Sequence, residues 1–155
     1  MERLRMKICA MVGSAVLGLV PIALSQNVEF HNPAELSKPN GYTHAVVVKR
    51  GQLVFISGQG GVDKDGKAAA DFAEQVKLAF LNLKAALASA GAKPADLVKL
   101  NYYVVGLNHD KLLTLREARD SVIDKDRTPA STLAGVQALL REDVQVEIEA
   151  EAVIP

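Results

Sequence analysis

Tryptophan is absent from this chain, and tyrosine and phenylalanine number only three and four. A surface that stacks nucleobases needs more rings than that. Charge of one sign is missing as well: 18 Lys and Arg stand against 18 Asp and Glu, with no block of like charge. Nucleic acid calls for a basic face, so no nucleic-acid partner is expected. A single cysteine, Cys9, excludes an internal disulfide and a thiolate metal cluster. His31, His44 and His109 show no metal-ligand spacing. Neither a P-loop, a dinucleotide fingerprint nor a serine elbow occurs. No cofactor and no metal are expected. Repeats and low-complexity segments are also lacking, and 155 residues make one domain with a real core.

What is present begins with one uncharged run, Ile8 to Leu24, preceded by Arg3, Arg5 and Lys7 and followed by small residues at Ala23 and Ser25. This pattern reads residues 1–25 as a secretory signal peptide cleaved between Ser25 and Gln26. The alternative is an uncleaved anchor, for which the run is at the lower limit of length and is weakened by Gly13, Gly18 and Pro21. Cleavage leaves 15 basic and 17 acidic residues, a net charge of about −2, and no cysteine. A periplasmic or secreted protein without stable membrane association is expected.

Residues 26–40 read as an irregular lead-in, punctuated by Pro33, Pro39 and the Asn40-Gly41 pair. His44 to Lys49 and Gln52 to Ser57 are β-rich and flank Arg50-Gly51, which predicts a hairpin. The second run, Leu53-Val-Phe-Ile-Ser-Gly-Gln-Gly-Gly61, breaks into glycines. Residue types alone make this an ordinary strand end, although Gly58, Gly60 and Gly61 would also let a ligand approach the main chain. Asp71 and Glu74 open a helix whose Phe72, Val76, Ala79, Phe80, Leu83 and Leu87 form one apolar stripe, ending at Gly91. Leu97 to Val105 alternates as a strand. A second helix spans about His109 to Ile123, capped by Asn108 or Asp110, with Leu112, Leu115, Arg119 and Val122 on one side. Ala130 to Val136 reads weakly as a strand, and Val144 to Val153 alternates strictly. A hairpin followed by interleaved helices and strands is an α+β arrangement, a mixed sheet covered on one face by two helices.

Several residues along residues 41–155 resemble one family in order and spacing. They are Gly41-Tyr42, Ile56-Ser-Gly-Gln59, Asn82-Leu with Leu87, Ala90-Gly91, Asp96 to Lys99, Val104 to Asn108, Pro129-Ala130 and Val146 to Ala150. The sequence resembles the Rid family (YjgF, UK-type or L-PSP proteins), whose founding activity is hydrolysis of reactive enamines and imines. The resemblance implies a chorismate-mutase-like fold and a homotrimer with small-molecule sites in its inter-subunit clefts.

In that family an arginine directly after Pro-Ala holds the substrate carboxylate, a charge-assisted bond of about 1.5–3 kcal/mol. Here Pro129-Ala130 is followed by Ser131, which is short and neutral. Arg127 lies four residues upstream and would have to reach back from its loop; as an isolated residue it is an exposed loop arginine. Glu147 matches the glutamate thought to position the attacking water, although by pattern alone it is a solvated carboxylate beside Glu149 and Glu151. Tyr42 matches a pocket tyrosine, Asn108 a pocket asparagine, and Ser57 and Gly58 the ligand-facing turn. Two functions follow from the resemblance. One is imine or enamine deamination driven by Glu147, weak or altered because Ser131 replaces the arginine; the other is a non-catalytic small-ligand-binding trimer. The endoribonuclease or translation-inhibitor role named for some relatives suits an exported acidic chain poorly.

Overall fold

A computed structural model describes residues 27–155. The leader read in residues 1–25 lies outside the described residues. Six strands and two α-helices follow one another as β1 (Val28–His31), β2 (Ala45–Val48), β3 (Gln52–Gly60), α1 (Phe72–Ser89), β4 (Leu97–Val105), α2 (His109–Asp120), β5 (Ala130–Val136) and β6 (Val146–Ile154).

The main sheet has the order β3-β6-β4-β5, antiparallel except for the parallel β4–β5 pair. Its alternating strands put one set of side chains under the helices. Ile56, Leu100, Tyr102, Val104, Val146, Ile148, Ala150 and Ala152 are buried there with the α1 stripe of Val76, Ala79, Phe80, Leu83 and Leu87 and with Leu115 of α2. Each large side chain fully buried in this layer stabilises the fold by roughly 1.5–3 kcal/mol over leaving it in water. The two helices on a mixed sheet are the α+β arrangement the pattern predicts.

The caps of α1 follow the sequence closely. Asp71 accepts a hydrogen bond from the Glu74 amide at 2.9 Å, and the amides of Gly91 and Ala92 close back onto Ala88 and Leu87. In α2 the cap is Asn108, whose carboxamide oxygen accepts from the Lys111 amide at 2.9 Å.

Two expectations need correction. The runs around Arg50-Gly51 do not pair with each other: β2 pairs antiparallel with β1, while β3 pairs with β6. The lead-in is therefore not wholly irregular, since Val28–His31 supplies a strand of its own. Val28 is buried with Val98 and Val153, and Phe30 and Val46 pack against them. This apolar contact holds the ribbon to the sheet and outweighs the short local closure a hairpin would offer.

Candidate functional site

The glycine turn after β3 is filled by the protein's own groups. The ladder slips between Ile56 and Gln59, so Ser57 and Gly58 bulge out opposite β6. A Cβ on Gly58 would overlap the Glu147 carboxylate, and one on Gly61 would overlap the backbone of Gln75 in α1. The glycines thus admit a carboxylate and a helix rather than a ligand alone.

Two amide side chains lock this turn to α1. Asn82 Nδ2 donates to the carbonyls of Gly60 at 3.0 Å and Val62 at 2.8 Å. Buried Gln75 donates to Ala69 and Asp143 at 3.1 and 2.8 Å and accepts from the Gln145 amide at 2.7 Å. Glu147 therefore leaves the sheet from a strand start tied, through Gln145, to the helix that also holds Gly60 and Val62.

Glu147 pairs with Tyr103 across the sheet and shares the face away from the helices with Asn101, Glu149 and Glu151. Glu149 accepts from Asn101 Nδ2 at 2.6 Å and from the Tyr103 hydroxyl at 3.2 Å. Desolvation, and then the bond to Glu149, hold the Tyr103 hydroxyl above its ordinary range. Beside this cluster a shallow cavity of about 200 Å³ runs past Phe55, Ser57, Lys99 and Asn101. Phe55 is 72 % exposed and Leu53 47 %, an unusual amount of apolar surface next to carboxylates.

Ser131 goes to the other face. It pairs with Leu100, a core residue under the helices, whereas Thr132 takes the Glu147 side and accepts from Lys99 Nζ at 3.1 Å. Ser131 and Tyr42 line one cavity of about 220 Å³ with Asn40, Tyr102 and two arginines of α2, Arg116 and Arg119. Leu112, Leu115 and Leu133 complete it. Glu147 does not line it. The candidate residues of the chain therefore fall in two places: Ser57, Gly58 and Glu147 on the open face, Tyr42 and Ser131 in the helix-side cavity. Asn108 caps α2 beyond the end of β4.

Arg127 does not enter either cavity; its guanidinium lies 5.3 Å from the centre of the Phe30 ring. The arginines that do reach the cavity were missed. Arg119 had a signal, because it falls on the side of α2 that carries Leu112 and Leu115, where a cation needs a reason to be. Its guanidinium packs against Gly41, whose positive φ of 76° presents bare backbone to it. Among the described residues, no three His, Cys, Asp or Glu side chains gather as a metal site would require.

Residues 33–154 match the family model described as Endoribonuclease L-PSP. A protein of the conserved Rid family from Yersinia pestis, YyfB, superposes with a TM-score of 0.73 at 31 % identity, over 83 % of this chain and 99 % of its own. The chain belongs to the Rid family. TdcF of Escherichia coli is 35 % identical to this Rid protein over 108 residues, 68 % of this chain and 82 % of TdcF. The structure of TdcF with bound serine has a TM-score of 0.59 at 30 % identity, over 66 % of this chain and 81 % of that one. The 2-iminobutanoate/2-iminopropanoate deaminase of Salmonella typhimurium is 36 % identical over 109 residues, 68 % of this Rid chain and 83 % of the enzyme.

Proposed function

We propose that this Rid protein hydrolyses small reactive imines or enamines, with Glu147 activating the water, and that it is weak on 2-iminobutanoate and 2-iminopropanoate. The observation that carries the reading is the Glu147 carboxylate seated against Gly58 on the open sheet face. In the reaction, water adds to the imine carbon while its proton passes to Glu147. That proton moves on to nitrogen to complete a carbinolamine; the new hydroxyl then gives up its own proton, by way of Glu147, to the nitrogen as the C–N bond breaks, and a carbonyl compound and ammonia leave. General-base catalysis of this kind contributes about 10²–10⁴-fold. The weakness rests on Ser131, which cannot neutralise a substrate carboxylate where the family places its arginine.

We further propose a homotrimer that buries the open face. Exposed Phe55 and Leu53 support it, since neighbouring large apolar side chains left in water on one sheet face mark an interaction surface. Within it, the open face of one subunit would meet the cavity of the next and join the two halves of the site. Neither nucleic acid nor a membrane is proposed as a partner, and among the described residues no helix is long and apolar enough to cross one. Export follows from the leader reading of residues 1–25, and full-length protein found only in the cytosol would refute it.

The enzymatic reading is tested by generating 2-imino acids with an amino-acid oxidase and carboxylate-free imines with an amine oxidase, and following semicarbazone formation with and without the mature protein. Imines lacking a carboxylate should be consumed, with Glu147→Gln losing that activity, and short 2-imino acids should be nearly untouched. Rapid turnover of 2-iminobutanoate would sink the claim of altered activity. No turnover of any imine would leave the non-catalytic binding trimer, which Ser131 also favours. Sedimentation at micromolar protein should give the trimer, and a monomer would overturn that part.

A further inference from the structure

The cavity behind Ser131 has its own cations. Arg116 and Arg119 line it one helical turn apart on α2, and no acidic residue does. Arg119 is held in place: its side chain is only 12 % exposed, it lies on Gly41, and Asp120 takes its Nε and Nη2 at 2.8 and 2.6 Å. That leaves its remaining N–H donors for another acceptor. Arg116 has no carboxylate within ion-pair distance among the described residues. A second, independent observation points the same way. Tyr102 lines the cavity, is 4 % exposed, and its hydroxyl is buried without a hydrogen-bond partner among the described residues. Buried polar groups are rarely left so unless something else supplies the partner.

We propose that this cavity holds the carboxylate of a small organic acid with an apolar body, and that Arg116 and Arg119 supply the positive charge that Ser131 cannot. The anion is thus moved from the sheet edge to α2. Leucines from α2 and β5 receive the apolar body, and Tyr102 and Ser131 offer hydroxyls to the head group. Size agrees: a cavity of about 150 Å³ accommodates benzene, and this one is about 220 Å³. The inference rests on the reading of the Tyr42–Ser131 cavity as the ligand end of the Rid site. It adds that ligands must be larger than the shortest 2-imino acids, because the cation that orients them stands on the helix.

The test is a calorimetric titration of the mature protein with cyclohexanecarboxylate and with its neutral isostere, cyclohexanecarboxamide. The acid should bind at least about tenfold more tightly than the amide, the margin one charge-assisted pair supplies. Arg116→Gln and Arg119→Gln should each erase most of that margin, while Lys77→Gln, an exposed change on α1 away from the cavity, keeps it. Arg119 also packs against Gly41, so each variant is first checked by a thermal melt. Arg116, at the half-buried rim, carries the test if Arg119→Gln does not fold. Inorganic phosphate at equal concentration should compete poorly; strong competition would overturn the carboxylate assignment. No saturable binding of the acid to the unaltered protein would overturn the proposal, as would a margin that survives the arginine changes. Turnover is not read here. Acid binding in a protein without imine hydrolysis would uphold this site and defeat the enzymatic reading; hydrolysis without acid binding would do the reverse.

Discussion

Removing one oxygen from Tyr102 should make the ligand-free protein more stable. A buried hydroxyl without a partner costs about 1–3 kcal/mol relative to one in water, whereas a bonded one contributes about 1 kcal/mol. The sign of the change therefore separates the two cases. Tyr102→Phe keeps the ring that meets Phe80 at 6.4 Å between centroids, so the packing of the α1 layer is little disturbed. With the hydroxyl unpartnered, the variant should gain about 1 kcal/mol. For a domain of this size that is roughly 3–5 °C in melting temperature at fixed protein concentration. The assay is paired urea and thermal unfolding of the two proteins, first alone and then with saturating cyclohexanecarboxylate. Ligand should narrow or reverse the gain, because the native hydroxyl then has an acceptor and the variant's bare ring has no proton to donate. A loss of 1 kcal/mol or more in the ligand-free variant would refute the reasoning, since on the order of that much is what a bonded hydroxyl contributes.

Three further outcomes follow from the same geometry. Burial holds the Tyr102 hydroxyl above the ordinary tyrosine range, so no stability is lost to its ionisation below about pH 10, the unfolded value. Above that pH the unfolded chain loses its proton first and stability falls, by up to about 1.4 kcal/mol per pH unit. Urea midpoints of Tyr102→Phe should therefore pull ahead of the parent as pH rises from roughly 9 to roughly 11, and a constant gap would count against this. Gly58→Ala should depress imine hydrolysis far more than stability, because the displaced atoms are the free end of Glu147; equal activity would remove Glu147 from the mechanism. Gly61→Ala should do the opposite and cost about 1–3 kcal/mol by pressing on the α1 backbone at Gln75, read by denaturant midpoint.

Much of the fold was legible because its signals are local. The α1 stripe, Asp71 and Gly91 mark a helix without reference to any partner, and the strict alternation of β4 and β6 separates the buried from the open face. The choice of partner was not legible. Arg50-Gly51 looks like a hairpin turn, yet β1, only four residues long and without a turn of its own, takes β2 through contacts with Val98 and Val153. The site divides in the same way. Glu147 and Gly58 could be named from family spacing, but the face Ser131 occupies depends on the register of a parallel pair, Leu100 with Ser131, which no local pattern encodes. Arg119 meeting Gly41 joins residues far apart in sequence, and only its place on an apolar helix side hinted at it.

The Tyr42 wall of the cavity is attached more lightly than the rest. Thr43 joins the sheet through a single bridge to Ala130, with its amide donating to the Pro129 carbonyl at 3.1 Å and its hydroxyl 3.2 Å from that of Thr128. The cavity's other backbone walls, β4 and β5, are held by a continuous ladder. Local opening is therefore expected to begin at this wall before it reaches the ladder of the core. The Thr43 amide should exchange its hydrogen well before those of β4.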